Sequence, residues 1–260
     1  MKISRIIQSI LLVPVIVAAS ASIVLADEDY DSQIKNVTQE LKAQPKSVDL
    51  LIKRGDLYFQ VHEFDKAIAD YSAALKLDDH ADKAYYGRGL ALGRDGDIPG
   101  GIKDLSVYLD RHPDDSYGYT KRGIRYLWMG DDKNAEKDLT KAITLNPKNA
   151  EAHDDLGVVL ARRGDYKEAK KNFLACVTND PTYFKGWHNL AMVLYIFGED
   201  KPALDAVNNS LALVPNQRSP MLLKAKILQE LGRVKEAAKV KEDADWLPEG
   251  NWSEHIPVKK

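Results

Sequence analysis

The stretch AHDDLGVVLARRGDYKEAKKNF, residues 152–173, reads in two ways. It holds Arg163-Gly164-Asp165, the tripeptide of adhesion ligands. It also reads as an apolar-periodic helix, a glycine, an acidic residue and a second apolar-periodic helix. What lies 34 residues to either side decides between them. Gly157 continues a series of Gly55, Gly89 and Gly123, extended by Ala191 and Ala225. Gly164 belongs to His62, Gly96, Gly130, Gly198 and Gly232, and Ala169 to Ala67, Gly101, Ala135, Ala203 and Ala237. A fourth series is Asp79, Pro113, Pro147, Pro181, Pro215 and Glu249. Four columns in phase over six periods make this stretch one unit of a repeat.

Each column has a physical task. A glycine inside a helical pattern costs about 1 kcal/mol in propensity, so the first column predicts a close approach by a neighbouring helix. The Ala column is expected to be the other half of that crossing. The third column supplies the left-handed residue that ends a helix. Asp97, Asp131, Asp165 and Glu199 follow it and are placed to cap the next helix. Pro99 and Pro202 fall in the first turn of second helices, where a missing N–H costs little. The Pro column ends the second helix. Each unit is therefore two antiparallel helices, and stacking the units buries a continuous core. Arg163 has Asp95, Met129 and Phe197 at its equivalent places, so the tripeptide needs no receptor to explain it.

The pattern resembles the tetratricopeptide repeat family. WHNLAMVLYIFGEDKPAL, residues 187–204, and residues 152–173 carry it most fully: small residue, Gly at the turn, Ala in the second helix, Pro at the end. The resemblance implies an all-α, right-handed superhelical solenoid of about six antiparallel helix pairs. The expected units are 48–81, 82–115, 116–149, 150–183, 184–217 and 218–245, after a flanking helix over 27–46 and before an extended tail over 246–260. Tyr108 stands where Ala74, Ala142 and Cys176 stand, so its unit is expected to pack differently. Trp246 and Trp252 in the tail either stay extended or fold back on the last helices.

Residues 1–26, MKISRIIQSILLVPVIVAASASIVLA, have Lys2 and Arg5, an apolar run and then small residues, the plan of a secretory signal peptide. Cleavage is expected after Ala26, with Ala21 as the second candidate. Such a chain is exported, periplasmic if bacterial, and keeps no stable membrane anchor. An uncleaved anchor helix over residues 6–26 is the alternative. Formal net charge is −2 with no basic block, which excludes a nucleic-acid footprint. Cys176 is the one cysteine, so no intramolecular disulfide can form.

Catalytic chemistry finds no constellation. No two of the six histidines stand at helical metal-pair spacing. Cys176 occupies a small-residue column, as a buried hydrophobe would. GRGLALGRDGD, residues 87–97, lacks the Lys-Ser/Thr ending of a phosphate loop, and its glycines fall in the repeat columns. No cofactor and no metal are implied, and the chain is not read as an enzyme. Asn36, Asn208 and Asn251 head short glycosylation acceptor patterns that carry little weight.

What remains is a surface. The resemblance implies that the first helices line a concave groove for a protein or peptide partner. By place in the repeat, that groove takes Ile52, Asp56, Tyr86, Leu90, Tyr117, Lys121, Ile124, Trp128, Asp154, Val158, Arg162, Lys185, His188, Met192 and Tyr195. Tyr86 and Trp128 are the expected anchors, because Tyr, Trp, Met and Arg are enriched in interfaces. The family's carboxylate clamp needs Lys and Asn where this chain has Ile52 and Asp56, so that clamp is absent. The expected function is a non-catalytic scaffold, adaptor or assembly factor of the cell envelope. The alternatives are a self-associating homo-oligomeric array and an accessory subunit of an exported enzyme complex.

Overall fold

The computed structural model describes residues 19–248, with side chains from residue 29. Most of the apolar leader, the uncleaved-anchor alternative and the tail from residue 249, Trp252 included, lie outside the described residues. Those residues form thirteen α-helices and no strand. No helix among them is long and apolar enough to cross a membrane.

The chain divides into two compact units, through Asp79 and from His80. The first holds α1 (Ala19–Ala43), α2 (Val48–Gln60) and α3 (Phe64–Leu77). Helix α1 covers most of the flanking helix expected over 27–46 and is helical from Ala19, the first described residue, to Ala43. Ser47 caps α2 by accepting from Leu50 N–H at 3.4 Å. Val37, Leu51, Leu57 and Tyr71 make the core of this unit.

The second unit holds five helix pairs: α4 (Asp82–Asp95) with α5 (Ile98–Arg111), α6 (Ser116–Met129) with α7 (Asp132–Leu145), and α8 (Ala150–Arg162) with α9 (Tyr166–Asn179). They are followed by α10 (Phe184–Ile196) with α11 (Asp200–Leu213), and α12 (Arg218–Glu230) with α13 (Val234–Asp245). Each second helix also packs against the next first helix. One apolar cluster runs through Leu160, Phe173, Leu190, Val207, Leu223 and Ile227, so successive pairs share a core. This is the all-α solenoid that the 34-residue columns predict.

The turn between paired helices is left-handed wherever the column holds glycine: φ is +80° at Gly130 and +88° at Gly164. His62 adopts the same conformation at φ +61°, which a side chain adopts only at a cost. The acidic residue after the turn caps only some helices. Asp97 accepts from Gly100 N–H at 2.9 Å and Asp131 from Asn134 N–H at 3.1 Å. Asp165 and Glu199 make no side-chain cap. Asp165 instead accepts from Arg163 Nε at 2.6 Å, while Arg163 Nη1 reaches Glu136 at 2.8 Å. The Arg-Gly-Asp tripeptide is thus tied into its own turn. Tyr108 packs as an exception: its ring lies 4.9 Å from Tyr86 and 4.5 Å from His112, and its hydroxyl donates to Asp115. Trp246 ends α13 at 86% exposure, so it does not fold back onto the last helices.

Candidate partner-binding face

In the second unit the first helices α4, α6, α8 and α10 pack side by side. On α6, Tyr117, Lys121, Ile124 and Trp128 fall on one stripe. On α8, Glu151, Asp155, Val158 and Arg162 do the same. Two contacts join the stripes. Lys121 Nζ donates to both Glu151 oxygens at 2.6 and 2.7 Å, and Arg162 Nη1 reaches Leu127 O at 3.4 Å. Helix α10 joins through Asn189 Nδ2, which donates to Asp154 Oδ1 at 2.9 Å.

A buried polar network holds the junction behind this face. Asn149 Nδ2 donates to Ser116 Oγ and Thr120 Oγ1 at 2.8 and 2.9 Å, while its Oδ1 accepts from Ala152 N–H. Ser116 Oγ donates to Ala142 O on α7 at 2.9 Å. One asparagine therefore caps α8 and fixes it to α6, with every donor and acceptor used.

At the α4–α6 end, two guanidinium groups meet one indole. Arg94 Cζ lies 5.3 Å and Arg125 Cζ 5.0 Å from the Trp128 ring centroid. Arg125 is 3% exposed and has no carboxylate bonded to it. Its Nη1 and Nη2 donate to the carbonyls of Lys121 and Leu90, and Nε is sealed without an acceptor. Burial, with the nearby Arg94 charge, brings its pKa down to about 10. Gly93 makes room for it: a Cβ there would lie 2.7 Å from Arg125 Nε. Trp128 remains 37% and Tyr117 54% exposed.

At the α8–α10 end acidic groups gather, but Asp154, expected in the groove, is 3% exposed and lies behind the face. Burial pushes the Asp154 carboxyl up to about 6, against the hydrogen bond from Asn189 and the charge of Lys185. Asp155 is pushed further above the carboxylate range by burial, then by the charges of Asp154 and Glu151; Lys121 and Lys185 oppose the shift. Burial pushes His188 down to about 4, so it is neutral at pH 7, and its Nδ1 is sealed without a partner.

The expected groove residues fare differently. Leu90, Ile124, Val158 and Met192 are half-buried, with Val158 and Met192 packed against the core. Tyr86 is half-buried against Tyr108, and burial pushes its hydroxyl up to about 12, so it is a wall rather than a free anchor. Lys185 is exposed, and Arg162 is exposed but bonded to Asp132 at 2.9 Å. Tyr195 is buried and belongs to the core, so it cannot line a groove. In the first unit Ile52 is buried and Asp56 accepts from the Tyr71 hydroxyl at 2.6 Å. Sequence reasoning missed Arg94, Arg125, Glu151 and Asp155. A lone buried cation announces itself only when the packing around Gly93 is known.

Among the described residues no group of three His, Cys, Asp or Glu side chains could hold a metal ion. Cys176 is buried, and burial pushes its thiol up, away from the reactive thiolate.

Comparison with known proteins agrees with the geometry. A family profile described as TPR repeat matches residues 55–96, and two described as tetratricopeptide repeat match 119–149 and 139–171. The SGT1 homolog of Oryza sativa subsp. japonica is 27% identical over 73 residues, which are 28% of this chain and 20% of that protein. The match thus spans about a fifth of that curated relative. Among solved structures, the APC/C hetero-tetramer Cut9-Hcn1 gives a TM-score of 0.69 at 16% identity, covering 82% of this chain and 46% of that one. A tetratricopeptide repeat protein from Parabacteroides merdae gives 0.67 at 17%, covering 87% and 90%. YrrB, described as a TPR protein with an unusual peptide-binding site, gives 0.54 at 22%, covering 74% and 97%. At these identities the structural likeness establishes the fold.

Proposed function

The chain is a tetratricopeptide-repeat protein, and on that premise we propose that it is an exported scaffold of the cell envelope. It holds an extended segment of a partner protein along the groove formed by α4, α6, α8 and α10. Its work is non-catalytic: it positions the partner for assembly. The repeat fold itself is a protein-interaction scaffold, and the peptide-binding site attributed to YrrB shows that a fold of this kind can carry such a site. The export reading rests on residues 1–26, with their basic start, apolar run and small-residue end.

The observation that carries the groove reading is the pairing of exposed Tyr117 and Trp128 on one stripe of α6, with two cations fixed against the indole. Rigid aromatics held by a packed second layer lose little entropy on binding. The test is site-specific photocrosslinking in the envelope. Probes at 117 and 128 should capture one partner band, and a probe at Leu174, an exposed apolar site on α9, should not. Equal capture from all three positions removes the groove reading. N-terminal sequencing of the exported chain tests the leader; a start at Asp27 or Ser22 is expected.

Self-association has one observation in its favour. Val234 and Trp246, 62% and 86% exposed, sit at the two ends of α13. Light scattering of the chain and of Trp246→Ala decides it: a concentration-independent monomer in both ends that reading.

A further inference from the structure

Arg125 is a buried cation with no carboxylate bonded to it. It is 3% exposed, and its guanidinium meets the carbonyls of Lys121 and Leu90 and the Trp128 ring. Burial, then repulsion from Arg94, brings its pKa down only to about 10, so it stays charged at pH 7; Tyr86, Glu151 and Asp155 each oppose by less. A charge taken out of water is costly unless an opposite one accompanies it. The fold does not require this one, since other units hold Ala91, Val159 and Val193 at the same place.

Arg94, Trp128 and Arg162 stand 34 residues apart, at the C-terminal ends of α4, α6 and α8. A cation there is favoured by the helix dipole, which accounts for Arg94 and Arg162 but does not offset the burial of Arg125. Lys121 and Arg162 already have carboxylates, in Glu151 and Asp132. Arg94 has none: it is exposed, lies 5.3 Å from the Trp128 ring centroid, and makes no hydrogen bond or ion pair with any described residue. The Trp128 indole N–H also donates to no described residue, whereas that of Trp187 donates to Pro181 O.

We infer that Arg94 and Trp128 hold an aspartate or glutamate side chain of an extended partner segment lying along α4 and α6. This inference rests on the groove reading above and goes beyond it by naming the chemistry of the occupant. Charge complementarity argues for it. A carboxylate brings the missing negative charge to two guanidinium groups at one indole, and Arg94 can meet it with two parallel hydrogen bonds. Arg125 does not touch the occupant, because its free Nε is sealed; it acts through its charge, which burial leaves poorly screened. A basic side chain is repelled at the same place. The site is distinct from the family's carboxylate clamp, whose places in the first unit hold Ile52 and Asp56.

The test uses the full mature chain and pools of acetylated, amidated nonapeptides. One central position is fixed as Glu, Gln or Lys, and the others are randomised among uncharged residues. The Glu pool should bind roughly tenfold tighter than the Gln pool, as a hydrogen bond between charged groups dictates, and the Lys pool should bind weakest. Arg94→Gln, at an exposed side chain with no bond to lose, should remove the Glu preference and leave thermal unfolding unchanged. Arg94→Glu should turn the preference to the Lys pool. Arg125→Met should weaken binding of the Glu pool and not of the Gln pool. Full displacement of the Glu pool by millimolar inorganic phosphate would mark a small-anion site and overturn the inference. If the Glu and Gln pools bind alike, or Arg94→Gln keeps the preference, the inference is wrong and the groove reading stands. If no pool binds the wild-type chain, both fail.

Discussion

Arg122 on α6 grips Asp138 on α7 with two parallel hydrogen bonds, Nε to Oδ2 at 2.7 Å and Nη2 to Oδ1 at 2.9 Å. Asp138 is 2% exposed. The same fork joins Arg88 to Asp104, and in the first unit Arg54 to Asp70. All three pairs stand 16 residues apart in the 34-residue period. The next three units break the series, with Leu156 and Asn172, Leu190 and Ala206, and Lys224 and Val240. Three units thus tie their helices together by a charged fork; in the fourth, Asn172 Oδ1 instead meets His153 Nδ1 at 3.0 Å, and the fifth has two apolar side chains at these places. Removing one partner strands a buried charge, so Asp138→Ala should cost about 3–5 kcal/mol. Replacing both, as Arg122→Leu with Asp138→Asn, copies the fourth unit and should cost less than either single change. Urea unfolding of the three variants checks this; a double variant as unstable as the sum of the singles contradicts it.

Those pairs also show where the sequence is legible. The glycine, alanine and proline columns announce the fold because each has one backbone reason to exist: a left-handed turn, a close crossing, a helix end. Asp165 shows the limit of that logic. It stands in the cap column beside Asp97 and Asp131, yet Arg163 two residues earlier takes its carboxylate. A choice between two local partners is decided by side-chain geometry, not by column. The candidate face was half legible for the same reason. Trp128 and Tyr117 follow from their place in the repeat. Arg125 does not, because its position in other units holds Ala91, Val159 and Val193. The column says core, and only the space at Gly93 lets a guanidinium take that place. Tyr195 is an error of register: its counterparts in the two preceding units are Ala161 and Leu127, a core column, while the place of Trp128 and Arg162 falls on Ile196.

His62 is the exception among the turn glycines, a side chain at φ +61° where Gly96 to Gly232 have none. A left-handed residue with a Cβ costs roughly 1–2 kcal/mol, and part returns through the edge contact of its ring with Phe64 at 5.7 Å. His62→Gly should therefore raise the stability of the first unit by about 0.5–1 kcal/mol. A urea midpoint that falls in this variant would show the Phe64 contact to outweigh the strain.

Asp154 supplies a pH signature. Burial raises its folded pKa to about 6, above the unfolded value near 4. Between those values the folded state holds the extra proton, so this group's contribution weakens as pH rises. Its penalty is absent below about pH 4 and complete above its folded pKa, at about 2–3 kcal/mol. Asp154→Asn can still accept from Asn189 and carries no charge. The stability difference between variant and wild type should be near zero at pH 4 and grow in the variant's favour to pH 7. Paired urea titrations at the two pH values measure it, and the difference cancels the carboxylates, such as Asp82 and Asp131, that shift the other way. A difference that is constant with pH would contradict the assignment.

Gly157 tests why the first column alternates between glycine and alanine. A Cβ at 157 would lie 2.5 Å from the Phe173 ring, and one at 55 would lie 2.8 Å from the Tyr71 ring. The residue 16 places on is Tyr71, Leu105, Leu139 or Phe173 wherever the column holds glycine. It is Val207 where the column holds Ala191. Bulk on the second helix therefore decides what the first helix can carry. Gly157→Ala gains about 1 kcal/mol of helix propensity and meets a ring that is 2% exposed and cannot move aside. Overpacking of this kind costs typically 1–3 kcal/mol, so the net effect should be destabilising. Adding Phe173→Val copies the fifth unit and should relieve the clash, leaving only the lost apolar burial of the ring. The diagnostic is the coupling: Gly157→Ala should be harmful with Phe173 present and helpful with Val at 173, by thermal unfolding of the four chains. The same sign in both backgrounds would mean that the glycine serves something other than the ring.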